Sequence, residues 1–445
     1  MFFYILMLAS YYQILKELIA IPSVSVDAHH MDDNEKIALY LNALLHDNGF
    51  ISEIVHGYGN PLVLGKFSVN PSLPTMLLYG HYDVQTARID EWWEHDPFSL
   101  YIGKDKIYGR GVADNKGQFL IHLLTIFDLI QSKKMWYNVI VLLEGNEETG
   151  SQYLEKFLTD YRQDLFSDFC LISDSYILWN TPCIDVGYRW GLNVKLKITS
   201  ANTDLHSWLY GWIVPNAIHE MNKLLSKIYD MNNKITIPYF YYDVEDVTFD
   251  ILVKNKKIKT DTQKLMTDTW IKTIFKDKDI DTITQIGLKP TIQVTWISGW
   301  HVGDGFKNAI PNIAHAHINF RTVKNQTARN VLSSFDQWLQ NILPPYLDYE
   351  LEVGPMYEAV KIDTNNFTIK KAEAVLQQVF WQPVFYKYSG GGLPIVEILE
   401  RILSTKPVLI PLVNQDCNAH GVNENFDIDL IEKWFQFAYG FMSRS

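Results

Sequence analysis

The stretch LLYGHYDVQ, residues 77–85, decides how this chain is to be read. Residues 75–79 (TMLLY) form an apolar run with the length and composition of a buried strand, and His81 and Asp83 stand just past its end. Taken alone, a His-x-Asp at that place is a polar turn, because connecting loops are polar in general. Its meaning depends on what the rest of the chain does after each comparable run.

The pattern recurs. The Gly-rich IYGRGVADNKG (107–117) runs into QFLIHLLTIFDLI, where Leu120, Leu123, Leu124, Phe127 and Ile130 recur at helical spacing, so Asp114 falls on a loop at or near a helix N-cap. NVIVLL (138–143) precedes EGNEETGS with Glu147 and Glu148; DFCLI (168–172) precedes Ser173 and Asp174; KPVLIPLV (406–413) precedes NQDCNAHGVNENF with His420. Strand-like runs alternating with helical ones predict an α/β fold, a mostly parallel sheet with helices on both faces. Ligands bind at the carboxyl ends of strands in such sheets. Each run here delivers an acid or a histidine to that edge, and five loops would converge on one site.

Bulk properties set the frame. The 445 residues, 47% hydrophobic and 20% charged, are enough for two or three domains. A net charge of −12 with no basic stripe excludes a nucleic-acid partner. Cys170, Cys183 and Cys417 make no CxxC pair and read as small buried residues of a reducing compartment, the cytoplasm. The apolar MFFYILML at the start is far shorter than the roughly 20 residues a bilayer span needs, and no basic segment precedes it. Ser10 with Gln13 reads as a capping box opening the helix YYQILKELIA. Neither a membrane nor a secretory role is expected.

Two histidines and three carboxylates, with a further glutamate beside one of them, suit two Zn²⁺ ions. A site about 3.5–4 Å across needs one bridging carboxylate. It also needs a carboxylate off the metals to take a proton from water and return it to the leaving nitrogen. Glu147 and Glu148 could divide these tasks, and Asp83 could hold the His81 ring. No GxGxxG or P-loop follows a strand, which leaves no nucleotide or redox reading.

GHYDVQ, GRGVADNKG, EGNEETGS, the SD after a strand and NAHGVNENF together resemble the co-catalytic zinc aminoacylase and carnosine dipeptidase family, over about residues 14–431. That family also holds acetylornithine deacetylase, desuccinylases and glutamate-releasing carboxypeptidases. The resemblance implies that His81 and Asp174 bind one zinc, Glu148 and His420 the other, and that Asp114 bridges them. Mn²⁺ or Co²⁺ could replace zinc. It further implies Glu147 as general base, Asp83 as the partner of His81, and a cis peptide after Asp114. Asp at position 174, in place of Glu, favours the dipeptidase side of the family. The implied substrate is a small peptide, with an N-acyl amino acid deacylase as the alternative. A catalytically silent scaffold would lack a ligand or the base, and none is missing.

From about residue 192 to 356 these motifs stop. LNVKLKITS and AHAHINFRTV alternate as half-buried strands do. This segment resembles the family's inserted α+β lid, through which subunits pair as a homodimer. The chain then divides into residues 1–191 and 357–445 as catalytic domain and 192–356 as lid. By the same resemblance His206 reaches the active site of the partner subunit, Asn308 contacts the scissile carbonyl and Arg321 clamps a substrate carboxylate. Gly391 and Gly392, in YSGGGLP, bring backbone N–H groups close to the substrate. There are departures. Trp190 and Trp300 stand where relatives often have glycine, Trp208 and Trp212 replace small residues, and Gly392 stands where carnosine dipeptidases have serine. The tryptophans are expected to fill lid packing or a dimer seam, or to narrow the pocket.

Overall fold

A computed structural model describes residues 2–178, 181–256, 262–277, 280–299 and 304–444. The chain divides into two compact units: residues 1–186, 362–387 and 394–445 form the first, residues 187–361 and 388–393 the second. In chain order the main strands are β1 (Ile51–Val55), β2 (Leu62–Phe67), β3 (Thr75–His81), β4 (Asn138–Glu144), β5 (Phe169–Ile172) and β6 (Cys183–Tyr188). There follow β7 (Trp190–Thr199), β8 (Thr291–Gly299), β9 (Ile313–Thr322), β10 (Asp348–Tyr357), β11 (Phe385–Ser389) and β12 (Lys406–Leu409).

The first unit is built on a mixed sheet in the order β1-β2-β4-β3-β5-β12-β6. Its centre is parallel: β3 pairs in parallel with β4 and β5, and β5 with β12. The outer pairs β1–β2, β2–β4 and β12–β6 are antiparallel. The runs that carry the recurring motif are therefore the parallel ones, buried along almost their whole length as strands covered on both faces must be. Helices Phe2–Ile19, Lys116–Gln131, Phe367–Phe380 and Ile428–Met442 pack together, while Met31–Asp47 lies over β1 and β2.

One local expectation fails. The first helix runs Phe2–Ile19 straight through Ser10, so Ser10 and Gln13 form no capping box. Residues 2–9 contain no glycine or proline, and Leu, Met and Ala are good helix formers, so nothing stops the helix from starting earlier.

The second unit is a four-stranded antiparallel sheet, β8-β9-β7-β10. Leu192, Val194, Leu196 and Ile198 alternate with Asn193, Lys195 and Lys197; only the apolar set joins a core with Ala314, Ala316, Ile318 and Phe320. Helices Ala217–Leu225 and Ala328–Ile342 cover that face, the first capped by Asn216 and the second by Thr327. The opposite face carries the Lys195–Glu352 and Lys197–Glu350 pairs. The glycine run of residues 388–393, expected within the last catalytic segment, packs with this second unit. Arg189 N–H donates to Ser389 O at 3.0 Å.

Candidate metal centre

Register brings the motif residues to one edge. His81 ends β3 opposite Glu144, the last residue of β4, so the turn with Glu147 and Glu148 follows beside it. On the other side β5 ends at Ile172, two residues before Asp174. The helix Lys116–Gln131 starts against this edge because Gly80 leaves room: a Cβ there would lie 2.8 Å from Phe119 Cβ and 3.1 Å from Asn115 Oδ1. Asn115 ties the pieces together. Its Oδ1 accepts from His81 N–H at 3.4 Å and its Nδ2 donates to Ser173 O at 2.6 Å. The Asp114–Asn115 peptide is cis.

Five carboxylates and two histidines meet here. His81 Nε2 lies 3.0 Å from Asp114 Oδ1, 3.6 Å from Asp174 Oδ2 and 4.0 Å from Glu147 Oε2. His420 Nε2 lies 2.9 Å from Asp114 Oδ2 and 3.2 Å from Glu148 Oε2. His81 Nδ1–H donates to the Asp83 carbonyl at 3.1 Å, which orients the ring so that Nε2 faces the carboxylates. The Asp83 carboxylate, expected to hold that ring, is farther from it at 3.4 Å. Its two oxygens also accept from Glu147 N–H at 3.2 Å and Glu148 N–H at 3.1 Å, which fixes the turn carrying both glutamates.

The charge balance of this cluster calls for cations. Burial opposes a charge on His81, yet Asp174 and Asp114 outweigh it and hold its pKa well above the ordinary histidine value. Hydrogen bonds from its ring to the Asp114 and Glu148 carboxylates push His420 up to about 10. Burial raises Asp174 to about 6 and lifts Glu147 well above its usual range. Burial also opposes charge on Asp114, but the two histidines prevail and hold it low. His81, Asp114 and Asp174 each offer a ligand atom within 4.8 Å of the others, and so do Asp114, Glu148 and His420. Two oxygen- and nitrogen-donor groups that share one two-oxygen carboxylate fit a pair of divalent cations. Glu147 belongs to neither group and stands beside both.

Several contributors carried no assigned role in the sequence. Glu424 is fully buried; its carboxylate accepts from Gly111, Ala113 and Asp114 N–H and from Arg110 Nη1 at 2.7–3.1 Å. Arg110 also donates to Thr86 O and Gly421 O. This pair clamps the Asp114 loop to the His420 loop, in which Asn418, His420 and Asn423 all take left-handed backbone. Gln85 Nε2 donates to Glu148 Oε2 at 2.8 Å. Both charged residues lie inside the quoted motifs, and a charge among turn-forming glycines was the available signal.

The other predicted residues belong to the second unit. His206 and Asn308 are neighbours: His206 pairs with Ala309 in a short ladder, and Ser207 N–H donates to Asn308 O at 3.1 Å. His206 is exposed and its Nδ1 accepts from Trp208 N–H. Arg321 lies over the Trp190 ring, 5.8 Å from its centroid, and donates from Nε to Asn319. A Cβ on Gly391 would sit 3.9 Å from Arg321 Nη1; one on Gly392 would lie 2.4 Å from Tyr188 Cβ, which explains glycine in place of serine. Trp190 packs edge-on against Tyr357, as lid packing requires. Trp208 and Trp212 do not: they are 83% and 102% exposed on a short turn, with no core of their own unit over them. Trp300 lies outside the described residues.

The sequence profile of peptidase family M20/M25/M40 matches residues 77–444. A Cys-Gly metallodipeptidase of Candida albicans is 28% identical over 93% of this chain and 90% of its own. A beta-Ala-His dipeptidase of Rattus norvegicus is 26% identical over 82% of this chain and 76% of its own. Among solved structures, an M20 family metallo-carboxypeptidase of Sulfolobus solfataricus is 26% identical, covers 97% of this chain and 98% of its own, and superposes with a TM-score of 0.85.

Proposed function

Because the chain belongs to peptidase family M20/M25/M40 and is a metal-dependent peptide hydrolase, we propose that it cleaves dipeptides or other short peptides with a free carboxylate. The observation that carries this reading is the pair of donor groups joined at Asp114, with Glu147 left outside both. His81 and Asp174 would hold one divalent cation and Glu148 and His420 the other; zinc suits the imidazole and carboxylate donors, as do Mn²⁺ and Co²⁺. Such ions, when bound, polarise a carbonyl and acidify water.

The chain's own residues do the rest. Glu147 accepts a proton from the attacking water and returns it to the leaving nitrogen. Asp83 keeps Glu147 in place by holding its N–H and that of Glu148. Arg321, its guanidinium plane set by Trp190 and Asn319, clamps the substrate carboxylate. Asn308 and His206 bind the scissile carbonyl, and the run at Gly391 and Gly392 lies against the peptide's C-terminal end. Domain limits near residues 191 and 356 and a homodimer formed through the lid belong to the same reading. Three free, buried cysteines agree with a cytoplasmic setting. Among the described residues no helix is long and apolar enough to cross a membrane.

The test is metal analysis and a substrate panel on one preparation. Two metal equivalents and cleavage of dipeptides such as Cys-Gly, lost on chelation, are expected. Glu147→Gln should still bind metal while turnover falls at least about 10²-fold; retained turnover removes Glu147 from its role. Hydrolysis of N-acetyl amino acids without dipeptide cleavage would make the enzyme a deacylase on the same fold.

A further inference from the structure

Lys387 lies on β11, and its ammonium is almost wholly buried in the first unit. It donates to Tyr176 O at 2.7 Å and to Ser175 Oγ at 2.9 Å, pairs with Asp185 Oδ1 at 3.1 Å, and stands 4.7 Å from the centroid of the Tyr176 ring. Asp185, on β6, is itself fully buried. A charged pair at such depth is costly, and hydrophobic residues would often serve stability as well. Its presence calls for a task other than stability.

What the ammonium grips is the chain that leaves Asp174. Ser175 O accepts from Leu412 N–H at 3.1 Å, and Ile177 N–H donates to Val413 O at 2.8 Å, so one side of segment 175–177 is held by the stretch that leads on to His420. Lys387 holds its other side. On the approach to Asp174, Ser173 is fixed by Asn115 and by His122, whose Nε2 lies 2.8 Å from Ser173 Oγ. Asp174 thus sits between two pinned flanks, and the downstream pin is Lys387.

Resting on the dinuclear reading of the site, we propose that Lys387 is a positioning residue for Asp174. By fixing the main chain at residues 175–176 it sets the Asp174 carboxylate against His81 Nε2 and so determines the affinity of the metal position that those two residues share. Outer partners of metal ligands typically govern affinity by about 10–100-fold. Lys387 does not touch metal or substrate and is not a catalytic residue.

The experiment titrates metal-free protein with Co²⁺, followed by visible absorption, and with Zn²⁺ by calorimetry. Lys387→Met removes the ammonium; because it strands Asp185, the double variant Asp185→Asn, Lys387→Met is made alongside it, with Lys387→Arg as the charge-conserving control. The expected result is a double variant that melts cooperatively, binds one ion as the parent does and binds the other about 10–100-fold more weakly, with Lys387→Arg recovering most of the loss. A cooperatively melting double variant with both affinities unchanged overturns the proposal while leaving the dinuclear reading intact. Equal weakening of both positions also overturns it, since that marks a general loss of structure. If the parent binds no second ion, the dinuclear reading itself fails and the role of Lys387 falls with it.

Discussion

Glu424 shows how much one side chain can hold. It satisfies three backbone N–H groups of the loop that presents Asp114 and neutralises the buried Arg110. Glu424→Gln keeps the shape but leaves that arginine unpaired, and breaking a buried pair costs about 3–5 kcal/mol. Urea denaturation should show a loss of this order, and metal titration a weakened site; a variant as stable as the parent would mean that Arg110 finds another partner. Tryptophan tells the opposite story. Trp92, Trp212, Trp270 and Trp381 occupy left-handed backbone (φ 53–75°) and are 88–102% exposed. A bulky residue there is strained by about 1–2 kcal/mol and buries nothing in return, whereas glycine adopts such backbone freely at an entropic cost of roughly 0.5–1 kcal/mol. Trp92→Gly and Trp212→Gly are therefore expected to raise stability by up to about 1 kcal/mol each, read as a shift in denaturation midpoint. A fall would show that these rings cover surface that matters.

At the scale of elements, strand β3 and the helix Lys116–Gln131 are set by one missing side chain. Any Cβ at Gly80 drives into Phe119 and Asn115, and Asn115 is the residue that links His81 to Ser173. Gly80→Ala should push the helix start outward, cost about 1–3 kcal/mol as overpacking does, and weaken metal binding together with stability. Unchanged metal affinity at reduced stability would separate the helix contact from the site. The same elements show why the strand ends matter. Four parallel strands ending at one edge, together with the loop that opens the helix Lys116–Gln131, can deliver residues from five loops to a region a few ångströms wide, which antiparallel hairpins cannot do without long returns.

The whole molecule carries a pH signature through His122. Burial lowers its pKa to about 3, so it is neutral in the fold while the unfolded chain titrates near 6.5. Above pH 6.5 neither state binds the proton and no penalty exists. Between pH 6.5 and 3 the unfolded state takes up a proton that the native state refuses, so stability falls at about 1.4 kcal/mol per pH unit from this group. His122→Gln should flatten the fall in melting temperature across that window relative to the parent; identical profiles would mean that the ring is protonated in the fold.

The amino-acid sequence by itself determined the order of strands and helices in the first unit, the alternating faces of the second, and the identity of the ligand candidates. These rest on periodicity and on residue type, both of which are local properties. The candidate ligands His81, Glu148, Asp174 and His420 are legible because each lies in the loop after an apolar run, and Asp114 because it stands in a Gly-rich loop that opens a helix. Their supports are not. Glu424 works on Arg110 across 314 positions, and Lys387 on Ser175 across 212, so no spacing within a motif announces them. The first helix starts before its apparent capping pair for a related reason: a capping pair is a local signal, and a continuous run of helix formers outweighs it. Only the tertiary structure decided that Asp83 holds the Glu147–Glu148 turn more closely than the His81 ring, that Gly392 cannot carry a side chain beside Tyr188, and that Trp208 and Trp212 are left exposed. Each of these depends on which distant segments share a few ångströms of space, and that is settled by packing the sheet and its helices, where burial forces every polar group to find its partner.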